Sequence, residues 1–426
     1  MYKVFNPELK NWPTLIRRPL YDLDLINETV DEIFKNVKIY GDKSLIKYSK
    51  KFDKVDLKNL LVCDKKINNS QDDINPELKE SIDIAFNNIY KFHKSQIFKS
   101  KKIETSPGVF CWHEKRPIEN VGLYIPGGTA PLFSSVLMLA IPAMIAGCKN
   151  IILCSPPNEN AELHPAILYC AKLCKVNKVI SVGGAQSIAA MSIGTKSVPK
   201  VNKIFGPGNQ FVTCAKLKSI YYNTAIDMPA GPSELLILAD ENANPNYIAS
   251  DLLSQAEHGP DSQVIFISLS KPLVNEVEKC IKDQIRILDR RDFINKSISN
   301  SKLIFFDDKI KAIDFINQYA PEHYIINSEN ESFFIDNIVN AGSVFIGNYT
   351  PESVGDYASG TNHTLPTNGN AKQYSGVNLD SFLKTITFQK ISKDGLLNIS
   401  KTVETMANAE GLQAHKNAVS IRVKDL

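Results

Sequence analysis

The sequence lacks any run of the ~20 uninterrupted apolar residues that cross a bilayer. Its longest candidate, residues 130–147, is broken by Pro131, Ser134, Ser135 and Pro142 and reads as a buried helix. The first 20 residues show no basic patch followed by an apolar core, so no secretory signal is read there and a cytoplasmic location is expected. Paired cysteine spacing is missing as well. The eight cysteines are scattered, and Cys170 and Cys174, four apart, share a helix face rather than forming a metal knuckle, so reduced thiols are expected. Charge of one sign is also scarce: 49 Lys and Arg stand against 46 Asp and Glu, and a net charge of +3 leaves no electrostatic footprint for nucleic acid. What is present, 43% hydrophobic and 22% charged residues, is the composition of a globular chain. At 426 residues it is too long for one core and implies two or three compact units.

From about residue 118 to 347, short β-branched runs alternate with longer helical patterns, the rhythm of parallel-sheet α/β units. A first block has strands predicted at 121–125, 151–154, 179–182 and 203–205, and a second at 235–238, 264–267, 303–306, 324–326 and 343–346. Ahead of them, residues 25–96 carry apolar residues at helical spacing, such as Val30, Ile33, Phe34 and Val37. Residues 353–370 are rich in Gly, Ser, Thr, Asn and Pro and read as a long ordered loop of the kind that carries function. The tail is helical over 396–418 and strand-like over 419–423.

A complete G-x-G-x-x-G fingerprint is absent. Three Gly-rich turns follow first-block strands instead: Tyr124-Ile125-Pro126-Gly127-Gly128, Val182-Gly183-Gly184-Ala185-Gln186 and Phe205-Gly206-Pro207-Gly208-Asn209. Such turns let backbone amides approach a pyrophosphate at a helix N-terminus, and they are equally ordinary strand-to-helix connections. Metal-ligand residue types gather later in the chain: Gln255 and His258, Asp356 and His363, Glu410 and His415. Gln255 and His258 are three apart before Gly259-Pro260, so both project from the last turn of a helix, as a chelate requires. Each histidine alone is as well explained by a structural hydrogen bond. The adjacent Glu322 and His323, at the start of a predicted strand, supply either two proton-transfer groups or an exposed charged turn. Cys154, closing a strand, is either a thiol nucleophile or a buried inert side chain.

The stretches GLYIPGGTAPLFSSVLMLAIPA, KIFGPGNQFVTCAK, AIDMPAGPSE, LLSQAEHGPDSQ, YAPEHY, GDYASGTNHTLPT and AEGLQAHKNAV, in this order, resemble the motifs of the histidinol dehydrogenase family over residues 17–423. The resemblance implies an oxidoreductase of histidine biosynthesis: a homodimeric zinc enzyme taking L-histidinol through L-histidinal to L-histidine with two NAD. It implies zinc, one per subunit, on Gln255, His258, Asp356 and His415, acid–base roles for Glu322 and His323, and NAD contacts at Tyr124, Gln186 and Asn209. Substrate contacts fall on Ser233, His363 and Glu410 beside the zinc ligands and His323. The implied fold is α/β, two incomplete Rossmann-like, doubly wound lobes with small N- and C-terminal helical pieces. Residues 26–122 and 235–376 would form the zinc-bearing lobe, 123–234 the NAD lobe, and 1–25 and 377–426 the dimerisation segments. The Lys-, Asn- and Ile-rich N-terminal region departs most from the family pattern, and no motif residue falls in it. From the residues alone, a zinc hydrolase using Glu322 as base and a non-enzymatic binding module remain competing classes.

Overall fold

A computed structural model describes residues 1–19, 23–127 and 131–426. Gly128, the last residue of the first Gly-rich turn, lies outside the described residues. Among them the strands are β1 (Tyr2–Phe5), β2 (Ile103–Ser106), β3 (Val109–Pro117), β4 (Asn120–Tyr124), β5 (Asn150–Ser155), β6 (Lys178–Ser181), β7 (Lys203–Phe205), β8 (Ala225–Ile226), β9 (Glu234–Ala239), β10 (Gln263–Ser268), β11 (Lys302–Phe305), β12 (His323–Asn327), β13 (Ser343–Ile346) and β14 (Leu383–Ile391).

Two parallel sheets repeat one topology. The first block gives the order β6-β5-β4-β7-β8 and the second gives β11-β10-β9-β12-β13, each starting in the middle and winding outward both ways. Every residue of β9, β10 and β12 is buried, as expected of strands covered by helices on both faces. The second sheet carries one strand that the pattern did not announce. The N-terminal β1, only four residues long and partly exposed, adds in parallel to β11 through the register Tyr2 to Lys302.

Helix starts follow local chemistry. Asn75 and Asn244 each precede a proline and cap the helices Pro76–Lys94 and Pro245–Ala256 by accepting the backbone N–H two residues on. The run at 130–147 forms the helix Phe133–Ala146, buried over ten consecutive residues from Ser134 to Ala143. The helices before residue 95 share apolar clusters with the five-stranded sheet and its helices. Val30, Phe34 and Val37 pack against Ile152, Ile180 and Ile188, and Ile82, Ala85 and Ile89 against the Phe133–Ala146 helix, so both apolar stripes cover the five-stranded sheet.

The chain divides into two compact units. One comprises Met1–Ser95 and Ile118–Phe382 and contains both parallel sheets. The other comprises Gln96–Pro117 and Leu383–Leu426, a small antiparallel sheet β14-β3-β2 with the helices Lys393–Ala409 and Gln413–Lys424. Residues 419–423, expected to be strand-like, lie in the second of these helices. Val419, Ser420 and Val423 are half-buried at helical spacing, and Ser420 donates to Glu404 on the neighbouring helix, so packing overrides the β-branched composition. Among the described residues, no helix is long and apolar enough to cross a membrane.

His93, at the end of the Pro76–Lys94 helix, is fully buried, and burial pushes its imidazole down to about 4. The Asn362 amide, fixed because it also donates to the Met138 carbonyl at 2.6 Å, donates to His93 Nε2 at 3.3 Å. A proton on that nitrogen would therefore face a donor. Because the folded state binds this proton more weakly than the unfolded chain, with its ordinary value of 6.5, the contribution is intact above pH 6.5 and is lost as pH falls toward 4. Denaturant unfolding of the wild type is expected to lose about 3 kcal/mol more over this interval than His93→Gln does. Parallel acid limbs for the two proteins would contradict it.

Candidate active site

The helix Pro245–Ala256 runs back from the end of β9 and delivers Gln255 and His258 to the edge of the sheet where β9 and β12 begin. At that edge Ser233 precedes β9, and Glu322 and His323 open β12. Ala320, at φ +54° in the left-handed region, ends the helix Lys309–Tyr319 and turns the chain into Pro321-Glu322-His323. A short helix, Glu352–Tyr357, occupies the start of the stretch read as irregular and brings Glu352 and Asp356, four residues apart, to the same place.

His258, Glu352 and Asp356 offer ligand atoms within 4.8 Å of one another. His323 stands among carboxylates: Nε2 lies 3.4 Å from Asp356 Oδ1, while Nδ1 lies 3.6 Å from Glu322 Oε2 and 4.0 Å from Glu352 Oε1. Gln255 is wholly buried. With its amide nitrogen toward Glu352 it donates to both carboxylate oxygens, 2.9 Å to Oε2, and its oxygen accepts from His258 Nδ1 at 3.3 Å. Ser233 Oγ is 3.4 Å from the same His258 nitrogen. His363 uses both ring nitrogens, Nδ1 at 2.9 Å from the Asp356 carbonyl and Nε2 at 3.1 Å from Ser135 Oγ, which suits a neutral ring.

Burial is the leading electrostatic influence on the group. It pushes Glu322 and Glu352 above the ordinary carboxylate range and His258 and His363 below the ordinary imidazole range. Burial would also lower His323 and raise Asp356, but proximity overrides it: Glu352 and Glu322 hold the His323 proton on, and His323 keeps Asp356 ionised. Three carboxylates around one imidazole in a buried position leave negative charge uncompensated, and that favours a cation. Asp356 Oδ1 and His323 Nε2 are buried without a hydrogen-bond partner. This donor set of imidazole nitrogen, carboxylate oxygen and amide oxygen fits zinc.

The expected nucleotide residues lie at the carboxyl ends of the other sheet. Tyr124 closes β4, and its hydroxyl accepts from Gly184 N–H at 3.3 Å. Gln186 is buried with Nε2 unpartnered. Asn209 caps the helix Gln210–Ser219, accepting from Phe211 and Val212 N–H at 3.1 Å, so its side-chain oxygen is already committed. Gly206, at φ +132°, passes so close to the Tyr124 carbonyl that a Cβ would overlap it. A buried pair holds this turn from both sides: Lys216 Nζ lies 2.5 Å from Asp227 Oδ1 and donates to the Gly206 carbonyl, while Asp227 Oδ2 accepts from Gly206 N–H. The close backbone approach and the unpartnered amide suit a dinucleotide at these strand ends.

Glu410 and His415 stand exposed in the second compact unit. Glu352 was missed by sequence reasoning. The signal that marks it is its four-residue spacing to Asp356, hidden by Gly355, which is small because a Cβ there would overlap the Phe345 ring. Cys154 is fully buried in β5, with its thiol pushed up to about 12 by burial, so the nucleophile reading has no thiolate to draw on.

A family model described as histidinol dehydrogenase matches residues 16–423. The chain is 53% identical to histidinol dehydrogenase of Bacteroides thetaiotaomicron over 420 residues, 99% of this chain and 98% of that protein. It is 49% identical to the Escherichia coli protein of that name over 414 residues, 97% of this chain and 94% of that one. A solved histidinol dehydrogenase from Elizabethkingia anophelis superposes with a TM-score of 0.97 at 50% identity, covering 100% of this chain and 98% of that chain. Betaine aldehyde dehydrogenase from Staphylococcus aureus, with a TM-score of 0.50 at 12% identity over 85% of this chain and 83% of that chain, shares the fold alone.

The burial pattern predicts thiol reactivity. Brief iodoacetamide treatment of the folded protein at pH 8, read by mass spectrometry, is expected to modify the exposed Cys63 and to leave Cys154, Cys170 and Cys174 intact. Native labelling of Cys154 would restore it as a candidate nucleophile.

Proposed function

Because the chain belongs to the histidinol dehydrogenase family, we infer that it oxidises L-histidinol through L-histidinal to L-histidine with two NAD and zinc. The observation that carries the reading is the juxtaposition of the buried Glu322, His323 and Glu352 with the partly buried Asp356 and the exposed His258. Gln255, His258 and Asp356 would hold zinc from this chain, and His415 would complete the set from a second copy of it. NAD supplies the hydride acceptor for each oxidation, and zinc supplies an electrophilic anchor for the imidazole and amine of the substrate.

The remaining chemistry belongs to side chains. His323, in its neutral form, takes the hydroxyl proton in the alcohol step. Glu322, its basicity raised by burial, takes a proton from the water that adds to the aldehyde, and His323 accepts the hydrate's hydroxyl proton in the second oxidation. Ser233 and His363 contact the substrate beside the metal ligands, and Glu410 joins them from the second copy. Tyr124, Gln186 and Asn209 contact NAD in the lobe built on residues 123–234. Residues 1–25 and 377–426 act as dimerisation segments of a homodimer. Support for the shared site is the exposure of Glu410 and His415 at the surface of the second compact unit. A cytoplasmic location accords with eight unpaired cysteines.

Addition of L-histidinol and NAD is expected to give two NADH per histidinol. Chelation should abolish turnover and zinc should restore it. Full activity of a metal-free preparation would defeat the metal assignment, and absence of NADH would leave the hydrolase or binding alternative. Glu322→Gln removes a base while keeping shape, and loss of a general base costs roughly 10²–10⁴ in rate. Single-turnover NADH formation from histidinal should slow far more than that from histidinol, whereas His323→Asn should impair both. Equal impairment of both substrates by Glu322→Gln overturns this division of roles. Mixed dimers of His258→Ala and His415→Ala are expected to regain activity, because one of their two sites has all its ligands. Mixed dimers without recovery would show that each site is built within one chain.

A further inference from the structure

Glu234 closes the AIDMPAGPSE motif and has no part in the chemistry described so far, yet it is the most heavily engaged carboxylate beside the site. It opens β9, one residue before the β9–β12 register begins at Leu235 and His323, and is about 1% exposed. Arg18 grips its side chain bidentately, Nε to Oε1 at 3.0 Å and Nη2 to Oε2 at 2.9 Å. Asn368 N–H donates to Oε1 at 2.7 Å. Arg18 is itself fixed: Nη2 donates to the Tyr319 carbonyl at 2.7 Å, Nη1 donates to the Ile16 carbonyl at 3.2 Å, and the guanidinium lies 3.7 Å over the Tyr319 ring.

The backbone of this clamped residue faces the reacting pair. Its N–H donates to Glu322 Oε2 at 2.8 Å, and its carbonyl oxygen lies 3.2 Å from His323 Nδ1. A carbonyl accepts only, so Nδ1 keeps its proton in every state of the ring, and the neutral form of His323 is the Nδ1–H tautomer with Nε2, on the side of Asp356, as the proton-accepting nitrogen. The N–H in turn holds Glu322 Oε2 in place. A first strand residue would ordinarily fray, and both contacts would loosen with it.

We propose that the buried Arg18–Glu234 pair is a positioning element that, through the Glu234 backbone, sets the tautomer of His323 and the aim of Glu322. The inference rests on the reading of these two residues as the proton-transfer pair. Neither Arg18 nor Glu234 touches substrate; the pair acts at one remove, as the partners that orient catalytic and metal-binding imidazoles commonly do.

The test uses the zinc-loaded enzyme and three variants: Glu234→Gln, Arg18→Lys, and Arg18→Met with Glu234→Gln, the last removing both charges so that neither is stranded in the interior. Misplacement of reacting groups by about 1 Å costs roughly 10²-fold in rate, so kcat is expected to fall on that order for histidinol and histidinal alike. KM for histidinol should stay within about threefold and zinc content should be unchanged, since no metal ligand is altered. The double variant should be scarcely slower than Glu234→Gln, because the two residues act as one unit. In ¹⁵N-histidine-labelled protein, the His323 ring should shift from a single Nδ1–H tautomer toward a mixture. Lowered unfolding stability with unchanged kcat and tautomer would make the pair purely structural, and multiplying losses or lost zinc would also overturn the proposal. Glu322→Gln and His323→Asn in the same assays separate the two levels. If they leave rates intact the acid–base reading fails, and if they alone slow the reaction only the positioning role fails.

Discussion

Crowding of negative charge in a buried place is the constraint on which this molecule turns. Glu322, Glu352 and Asp356 all lie within 4.0 Å of one His323 ring, and no lysine or arginine side chain makes an ion pair with any of them among the described residues. Left alone, such a cluster would shed charge by taking up protons, which is the direction in which burial pushes Glu322 and Glu352. A bound divalent cation removes the need to do so. The same charge excess that makes the site costly without metal makes it selective for one, and it leaves His323 beside both the metal donors and Glu322.

The fold meets that cost by using two copies of one sheet topology in opposite senses. In the five-stranded sheet the Gly-rich turns lie at the carboxyl ends of β4, β6 and β7, the usual ligand side of an open parallel sheet. In the six-stranded sheet the charged cluster lies at the other edge, where β9 and β12 begin. Backbone groups at a strand start are not all consumed by the ladder, and Glu234 shows the consequence by placing its N–H and its carbonyl on two adjacent side chains. A carboxyl-end site would have to find those partners in loops.

Much of this was legible in the sequence, for identifiable reasons. The buried parallel strands announce themselves as Val- and Ile-rich runs, and the three-residue spacing of Gln255 and His258 brings them together, although the helix ends at Ala256 and His258 lies in the turn that follows. Glu322 and His323 are adjacent, so no long-range contact had to be guessed. The failures share a cause, which is local pattern overridden by packing. Residues 353–357 read as the start of a loop because the stretch to 370 is rich in Gly, Ser, Thr, Asn and Pro, yet they lie in the helix Glu352–Tyr357, where Gly355 clears Phe345. Residues 419–423 alternate like a strand but are held in a helix by their contacts with the helix Lys393–Ala409. Helices before residue 95 carry apolar stripes that fit either sheet equally well, and only the fold shows that they cover the five-stranded one. Glu234 is invisible for another reason: its effect is exerted by backbone atoms, which every residue possesses.

Histidines carry several of the hydrogen bonds that join the two lobes. The loop carrying Asn362 and His363 leaves the six-stranded sheet and docks on the helix that follows β4, where His363 Nε2 meets Ser135 and Asn362 donates to the Met138 carbonyl. The other nitrogen of His363 faces the carbonyl of Asp356, and the amide of Asn362 donates to His93. The helix carrying Ser135 is therefore two hydrogen bonds away from the metal-donor cluster, since Asp356 contributes a carboxylate to that cluster and a carbonyl to His363. The chain from Ser135 through the His363 ring to the Asp356 carbonyl thus ties that helix to the donor cluster by hydrogen bonds alone. Short, directional bonds of this kind keep reacting groups in register to within the fraction of an ångström that hydride transfer demands, whereas an apolar contact of the same area would tolerate sliding.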